Sequence, residues 1–387
     1  MMRGKPTTLI QRDCRLSQKM QASYLVSPTI VGCNNGMLLS TLKLDGVHLD
    51  TLPSTEVQSL QALWHQVIVS MNDRCACHVT SHRRPLVFPA NINDQSDFSC
   101  HVRDSYQQQF NDLPLYVNDY YLTVIHLGAI PSAMANQWLN LKRSSYASVM
   151  ASRRQFKARQ IRDLTTAVSQ AKQSLAFFNP ILLKESSSGS ICNGILDFLS
   201  LFINAGKPSP TRAFTKQSQR LHGSSGDPAT LPKMHLASYL SQYRVCFGRH
   251  VQFNGINKDD VIVGAMISIK HYGEFTDVMM MSALNHLSVP YIQVNSFAMD
   301  QKGVAQRRVK RHLNKMQSLD DPAVTQMVQL TQAQDDIQSD RIKLGLHQQT
   351  LMVIASDEAM LESRVQQVAK AFLMMGMVPV RETLGQE

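Results

Sequence analysis

Short β-branched runs alternate with helical periodicity along the chain, and no apolar run reaches the ~20 residues that would fill a bilayer. Each apolar segment is long enough for one strand or one amphipathic helix, and it must bury its face against another. That restricts the chain to a layered α+β arrangement. Residues 29–31 and 37–44 read as strands joined across Asn35-Gly36, a dipeptide whose two positions favour the positive φ of a hairpin turn. Ser54 is placed as the cap of a helix that puts Val57, Leu60, Leu63, Trp64 and Val67 on one face. Residues 77–83 and 120–126 read as strands, with a polar loop over 88–103 and a short helix over 106–113 between them.

Ile161, Leu164, Val168, Ala171 and Leu175 have helical spacing. An apolar helix over 195–203 lies between Gly-, Pro- and Ser-rich stretches at 184–194 and 204–232. Strands follow within 239–247, 261–272, 291–297, 349–356 and 378–381, and helices over 275–286 and 358–375. A polar helical segment runs over 301–344, with a break placed at Asp321-Pro322. The expected organisation is a basic arm (1–22), a first α+β subdomain (23–180), a helix with flanking loops (181–235) and a second α+β subdomain (236–387) that includes the 301–344 segment. Each subdomain reads as an α/β sandwich-like layer of mixed sheet with helices packed on it.

The chain has 387 residues and 43% hydrophobic content, enough for a real core and too much for disorder over most of its length. The N-terminal Met-Met-Arg-Gly-Lys-Pro has no apolar stretch behind it, so no secretory signal is read there. Seven scattered cysteines, an odd number, fit reduced thiols in a cytoplasmic protein better than a disulfide scaffold.

Charge is the most uneven property. The net charge is +10, yet residues 142–172 carry +7 and residues 302–315 carry +6, leaving −3 for the other 342. An anionic partner should therefore meet these two segments. Arg153, Arg154, Lys157 and Arg159 in the first, and Arg307, Arg308, Lys310 and Arg311 in the second, are the candidate membrane or partner contacts. The anionic cytoplasmic leaflet is preferred over nucleic acid, because Tyr146 and Phe156 are the only aromatics interleaved with the charges. A nucleic-acid-binding module without catalysis is the alternative.

Chemistry finds little support. Gly4-Lys5 and Gly206-Lys207 are each followed by proline, so neither reads as a phosphate-binding loop, and no dinucleotide fingerprint is present. Cys75-x-Cys77-His78-x-x-x-His82 is the one cluster of soft ligands. On a strand its two histidines stand ~13 Å apart, too far for one zinc. Gly223-Ser-Ser-Gly226 lacks nucleophile-elbow spacing. The pairs Asp259-Asp260, Asp320-Asp321 and Asp335-Asp336 read as turn and cap residues. No catalytic, cofactor or metal residue is assigned.

The order of segments resembles the N-terminal half of the CagE/TrbE/VirB family of type IV secretion ATPases. Asn35-Gly-Met-Leu-Leu-Ser-Thr-Leu-Lys-Leu-Asp-Gly46 is similar to the family's opening strand pair, and Asn118-Asp-Tyr-Tyr-Leu-Thr-Val-Ile125 to a later strand. The helix around 60–67 and a strand ending in Arg83-Arg84 lie between them. Gln293-Val-Asn-Ser-Phe297, Leu344-Gly-Leu-His347 and Gly376-Met-Val-Pro-Val-Arg-Glu382 follow in order. The resemblance implies a docking and assembly domain that is not itself an enzyme. It implies ATP and Mg only for a Walker-containing motor beyond Glu387. The implied partners are inner-membrane secretion subunits, the motor and further copies of the chain, at the cytoplasmic face of the bacterial inner membrane.

Overall fold

The computed structural model describes residues 16–48, 51–86, 115–128, 146–184, 194–208, 235–257, 260–273, 280–318 and 324–383, with Cys100 and Ser105. In chain order the elements begin with α1 (Leu16–Lys19), β1 (Ala22–Ser27), β2 (Ile30–Cys33), β3 (Leu38–Leu44), α2 (Ser54–Ser70), β4 (Cys75–Pro85) and β5 (Tyr116–His126). They continue through α3 (Tyr146–Ser174), β6 (Ile181–Leu182), α4 (Ile195–Ile203), α5 (Ala237–Leu240), β7 (Arg244–Cys246), β8 (Val251–Asn254) and β9 (Val261–His271). The last are α6 (Ser282–Asn285), β10 (Tyr291–Met299), α7 (Lys302–Ser318), α8 (Val324–Gln338), β11 (Gly345–Ala355), α9 (Glu358–Met374) and β12 (Val378–Glu382).

All twelve strands among the described residues join one sheet in the order β1-β2-β3-β5-β4-β10-β11-β9-β8-β7, with β12 beside β9 and β6 beside β3. Neighbouring strands pair antiparallel throughout, and the expected mixed character is confined to a parallel bridge between Lys184 and Gly194. β4 and β10 pair over Ala76–Arg83 and Tyr291–Ala298, so the sheet runs without a seam from the first half of the chain to the second.

Strand alternation assigns each face. On β4, Cys75 and Cys77 face a layer formed by α2 and α3, where Leu42, Leu122, Val124, Leu164 and Val168 close the core. On β9 and β11 the same logic puts Val263, Ala265, Ile267, Leu351 and Val353 under α9, against Leu361, Val368 and Phe372. The opposite face packs α4 and the segment Leu236–Tyr243 against Val31, Leu39, Tyr121 and Ile292. Arg83 is buried between β4 and the α6 turn. It donates to the carbonyls of Asn285 (2.8 Å) and Leu287 (2.9 Å) and to Asn118 Oδ1 (3.1 Å), which satisfies a charge that would otherwise be costly to bury.

Several expectations are revised. β1 was not anticipated, because Ala22–Ser27 alternates weakly and forms only by pairing with β2. Pro53, not Ser54, occupies the cap of α2, and its fixed φ of −60° suits that extended position. The turn at Asn35-Gly36 is not a two-residue type I′ hairpin. Gly36 N–H donates to the Cys33 carbonyl (3.1 Å) and Cys33 N–H to the Met37 carbonyl (2.9 Å), and of the turn residues only Gly36, at φ +83°, is left-handed. The polar 301–344 segment is two helices, α7 and α8, and the break at Asp321-Pro322 falls outside the described residues. The readings of 88–103 and 106–113, the arm up to residue 15 and most of 204–232 also fall outside them.

Candidate docking surface

The α7 sequence explains its own exposure. Ala305, Val309, Leu313 and Met316 recur at helical spacing and are buried; the first three pack with Ile337 of α8, flanked by Met327 and Leu330. Arg307, Arg308, Lys310 and Arg311 occupy the rest of the circumference, all exposed. Arg308 pairs with Asp300 at 2.7 Å, and Arg307 Nε donates to the Gly303 carbonyl at 3.0 Å. Lys310 and Arg311 have no ion-pair or hydrogen-bond partner among the described residues. The foot of the α7–α8 hairpin is tied by Lys302 to Asp340 (2.8 Å) and by His65 Nε2 to the Arg341 carbonyl (3.3 Å). Lys343 ties it to the Met71 carbonyl and to Asp73 (3.6 Å).

The other basic segment lies on α3, whose C-terminal half buries Leu164, Ala167, Val168, Ala171 and Leu175. Upstream, Arg153, Arg154 and Arg159 are exposed. Lys157 is not available in the same way, because its Nζ lies 3.3 Å from the Tyr24 hydroxyl and 5.0 Å over that ring. Arg154 and Arg159 are five positions apart and therefore point round different sides of the helix, so the segment presents a cationic column rather than one stripe. His126 Nε2 lies 3.8 Å from Asp163 Oδ2, and Nδ1 of the same ring accepts the Gly128 N–H at 3.2 Å. Burial holds His126 below the usual histidine range, although Asp163 opposes the shift.

Topology brings the two segments together. Cys75, His126, Met299 and Gly345 all lie at one end of the sheet, here called proximal; Arg83, Tyr291 and Ala355 lie toward the distal end. The α7–α8 hairpin leaves from Met299 and returns at Gly345, so it hangs from the proximal end. The contact of Asp163 with His126 places that part of α3 at the same end. The bond from Asp45 N–H to the Phe178 carbonyl (2.9 Å) places the chain just after α3 at the distal end. The helical residues before Asp163 lead outward past the proximal end over roughly 25 Å. Two stretches some 150 residues apart in sequence thus carry their charge to one end.

Sequence reasoning missed an apolar rim at this end. Leu346 on β11 is 64% exposed, and Leu373 and Met374 at the end of α9 are 59% and 77% exposed. Val378, opposite His271, and Tyr272, whose ring centroid lies 5.3 Å from that of His347 at a tilt of 50°, complete it. These residues belong to β11, α9, β12 and the chain just after β9, so no sequence pattern links them.

The remaining candidates have structural roles. Cys75 and Cys77 are buried, with thiols pushed up to about 11 by burial, while His78 and His82 point to the opposite sheet face from them. Among the described residues no group of three His, Cys, Asp or Glu side chains could hold a metal. Asp336 pairs with Arg341 at 2.7 Å, and the Asp260 carbonyl accepts the Gly255 N–H. No helix among the described residues is long and apolar enough to cross a membrane.

Residues 29–132 match the type IV secretion system ATPase VirB4/TrbE N-terminal domain, and residues 181–387 match the CagE, TrbE, VirB family, component of type IV transporter system. The chain belongs to the CagE/TrbE/VirB family. It is 24% identical over 375 residues to the type IV secretion system protein virB4 of Bartonella quintana, an alignment covering 94% of this chain and 44% of that protein. Protein virB4 of Agrobacterium tumefaciens is 24% identical over 369 residues, covering 94% of this chain and 43% of that protein. Protein virB4 of Agrobacterium fabrum is 30% identical over a shorter stretch of 151 residues. The chain spans less than half the length of these relatives. As a member of the CagE/TrbE/VirB family it carries the N-terminal domain match within the half of the sheet formed by β2, β3, β4 and β5.

Proposed function

We propose that this chain is the docking and assembly portion of a type IV secretion ATPase. It couples an ATP-hydrolysing motor to inner-membrane subunits during pilus biogenesis, conjugation or effector and DNA transfer, and it works at the cytoplasmic face of the inner membrane. The observation that supports the reading most is the match of residues 29–132 to the VirB4/TrbE N-terminal domain. Arg153, Arg154 and Arg159 on α3, and Arg307, Arg308, Lys310 and Arg311 on α7, supply exposed cationic side chains for contact with such partners, with Lys157 held back by Tyr24. Copies of the chain assemble with one another in the intact protein.

The test is co-purification of the 387-residue chain with the detergent-solubilised inner-membrane subunits of a cognate secretion system. Retention on those subunits is expected. Failure of every such subunit to retain the chain would overturn the reading.

A further inference from the structure

We propose that the proximal end of the sheet is a lipid-docking surface for an anionic bilayer, with the α7–α8 hairpin as a dispensable arm. The inference rests on the docking reading above and names the partner chemistry at that site. Three observations carry it. The first is convergence: α3 and α7 bring both basic segments to the end marked by Cys75, His126 and Met299. The second is that Leu346, Leu373, Met374 and Val378 are exposed at that same end, Leu346 on one face of the sheet and α9 on the other, so aliphatic side chains and positive charge are presented in one direction. An anionic membrane rewards both at once, since apolar burial and attraction to acidic headgroups add. A nucleic acid rewards the charge and asks for flat aromatic rings, but these exposed residues are aliphatic apart from Tyr272, whose ring meets His347 at a tilt of 50°.

The third observation concerns the arm. β10 and β11 stay in register up to the pair Met299 and Gly345, so residues 300–344 replace what could be a tight turn. The hairpin's small core of Ala305, Val309, Leu313 and Ile337 is separate from the sheet's own clusters. Residues 300–344 add no strand to the sheet and meet the rest of the molecule at their foot, through His65, Met71 and Asp73, which leaves the hairpin placed to serve a partner.

The full chain is mixed with phosphatidylcholine vesicles, with and without phosphatidylglycerol, and co-sedimented across a salt series. Wild type is expected to bind only the anionic vesicles. Replacing Arg307, Arg308, Lys310 and Arg311 by Gln is expected to cut partitioning by on the order of a thousandfold at low salt, four charges at about 1 kcal/mol each. Leu373→Ser with Met374→Ser should remove the binding that survives high salt. A chain in which Asn-Gly replaces residues 300–344 should keep its circular dichroism and a cooperative melt, and bind vesicles as weakly as the Gln variant.

The proposal is overturned if wild type ignores anionic vesicles, if it binds both lipids equally, or if it retains single-stranded DNA in their place. Loss of the melt in the Asn-Gly chain overturns the dispensable arm, and the Gln variant still decides the lipid surface. Co-purification with membrane subunits in detergent, without vesicle binding, sinks this inference and leaves the docking reading standing. Vesicle binding without any subunit retention does the reverse.

Discussion

Gly36 sits at φ +83° with open space where a Cβ would be, so the obstacle to any other residue there is backbone strain and not a clash. Gly36→Val is expected to lower stability by roughly 1–2 kcal/mol, read from urea denaturation, with Gly36→Asn costing less because Asn tolerates the left-handed region. His82 is a second residue whose surroundings set its behaviour. It is buried beside Gly206, and burial lowers its pKa to about 4, with Asp119 opposing and Arg84 reinforcing the shift. The folded ring therefore stays neutral down to about pH 4, while the unfolded ring protonates below about 6.5. Between those values the unfolded state binds more protons, so stability is present above pH 6.5 and is lost as pH falls toward 4, by up to about 3 kcal/mol. Denaturant melts at pH 7.5 and 4.5 should show the loss. His82→Leu should flatten it, although His78 and His347 retain shifts of the same sign.

The helices divide by what they pack against. α3 and α9 lie on the sheet, and their buried residues are shared with strands: Leu164 with Leu42 and Leu122, Phe372 with Ile267 and Val353. Leu164→Ala should cost about 2–5 kcal/mol in the global melt, as a cavity under a fully buried side chain does. α7 and α8 pack mainly on each other. Val309→Asp is therefore expected to abolish amide protection across α7 and α8 in hydrogen exchange while leaving the midpoint of the sheet's transition nearly unchanged. A global fall in that midpoint would show that the hairpin supports the sheet after all. The amphipathic spacing of 305, 309 and 313 was plain in the sequence, but the same pattern would have served a helix lying on the sheet.

Across the whole molecule, the pairing of β4 with β10 makes the sheet continuous between residues 23–180 and 236–387, which the sequence had suggested as two subdomains. Each half ends in a central strand that needs the other as its neighbour, so a severed half exposes a long unpaired edge. We expect either half alone to aggregate or melt without cooperativity, and co-expression of the two to restore a folded complex. A sharp thermal transition in either isolated half would show that the two subdomains fold independently. The chain is also expected to show no binding of Mg-ATP by calorimetry, since neither Gly-Lys dipeptide can build a phosphate cradle. Micromolar affinity would contradict this.

The sequence by itself determined the α+β class, most strand and helix positions, the turn at Gly36 and the two cationic segments, because these depend on local periodicity, on one residue's φ range and on charge counted along the chain. It also carried the resemblance to the CagE/TrbE/VirB family in the order of its motifs. Only the tertiary structure decided that β4 meets β10, that Ala22–Ser27 becomes a strand, and that α3 and α7 lead to the same end of the sheet beside Leu346, Leu373 and Met374. The strand at Ala22–Ser27 depends on its pairing with β2, and the other two on which strand edges pair across more than 200 residues. That is settled by the burial of both sheet faces together, a quantity no local window of sequence contains.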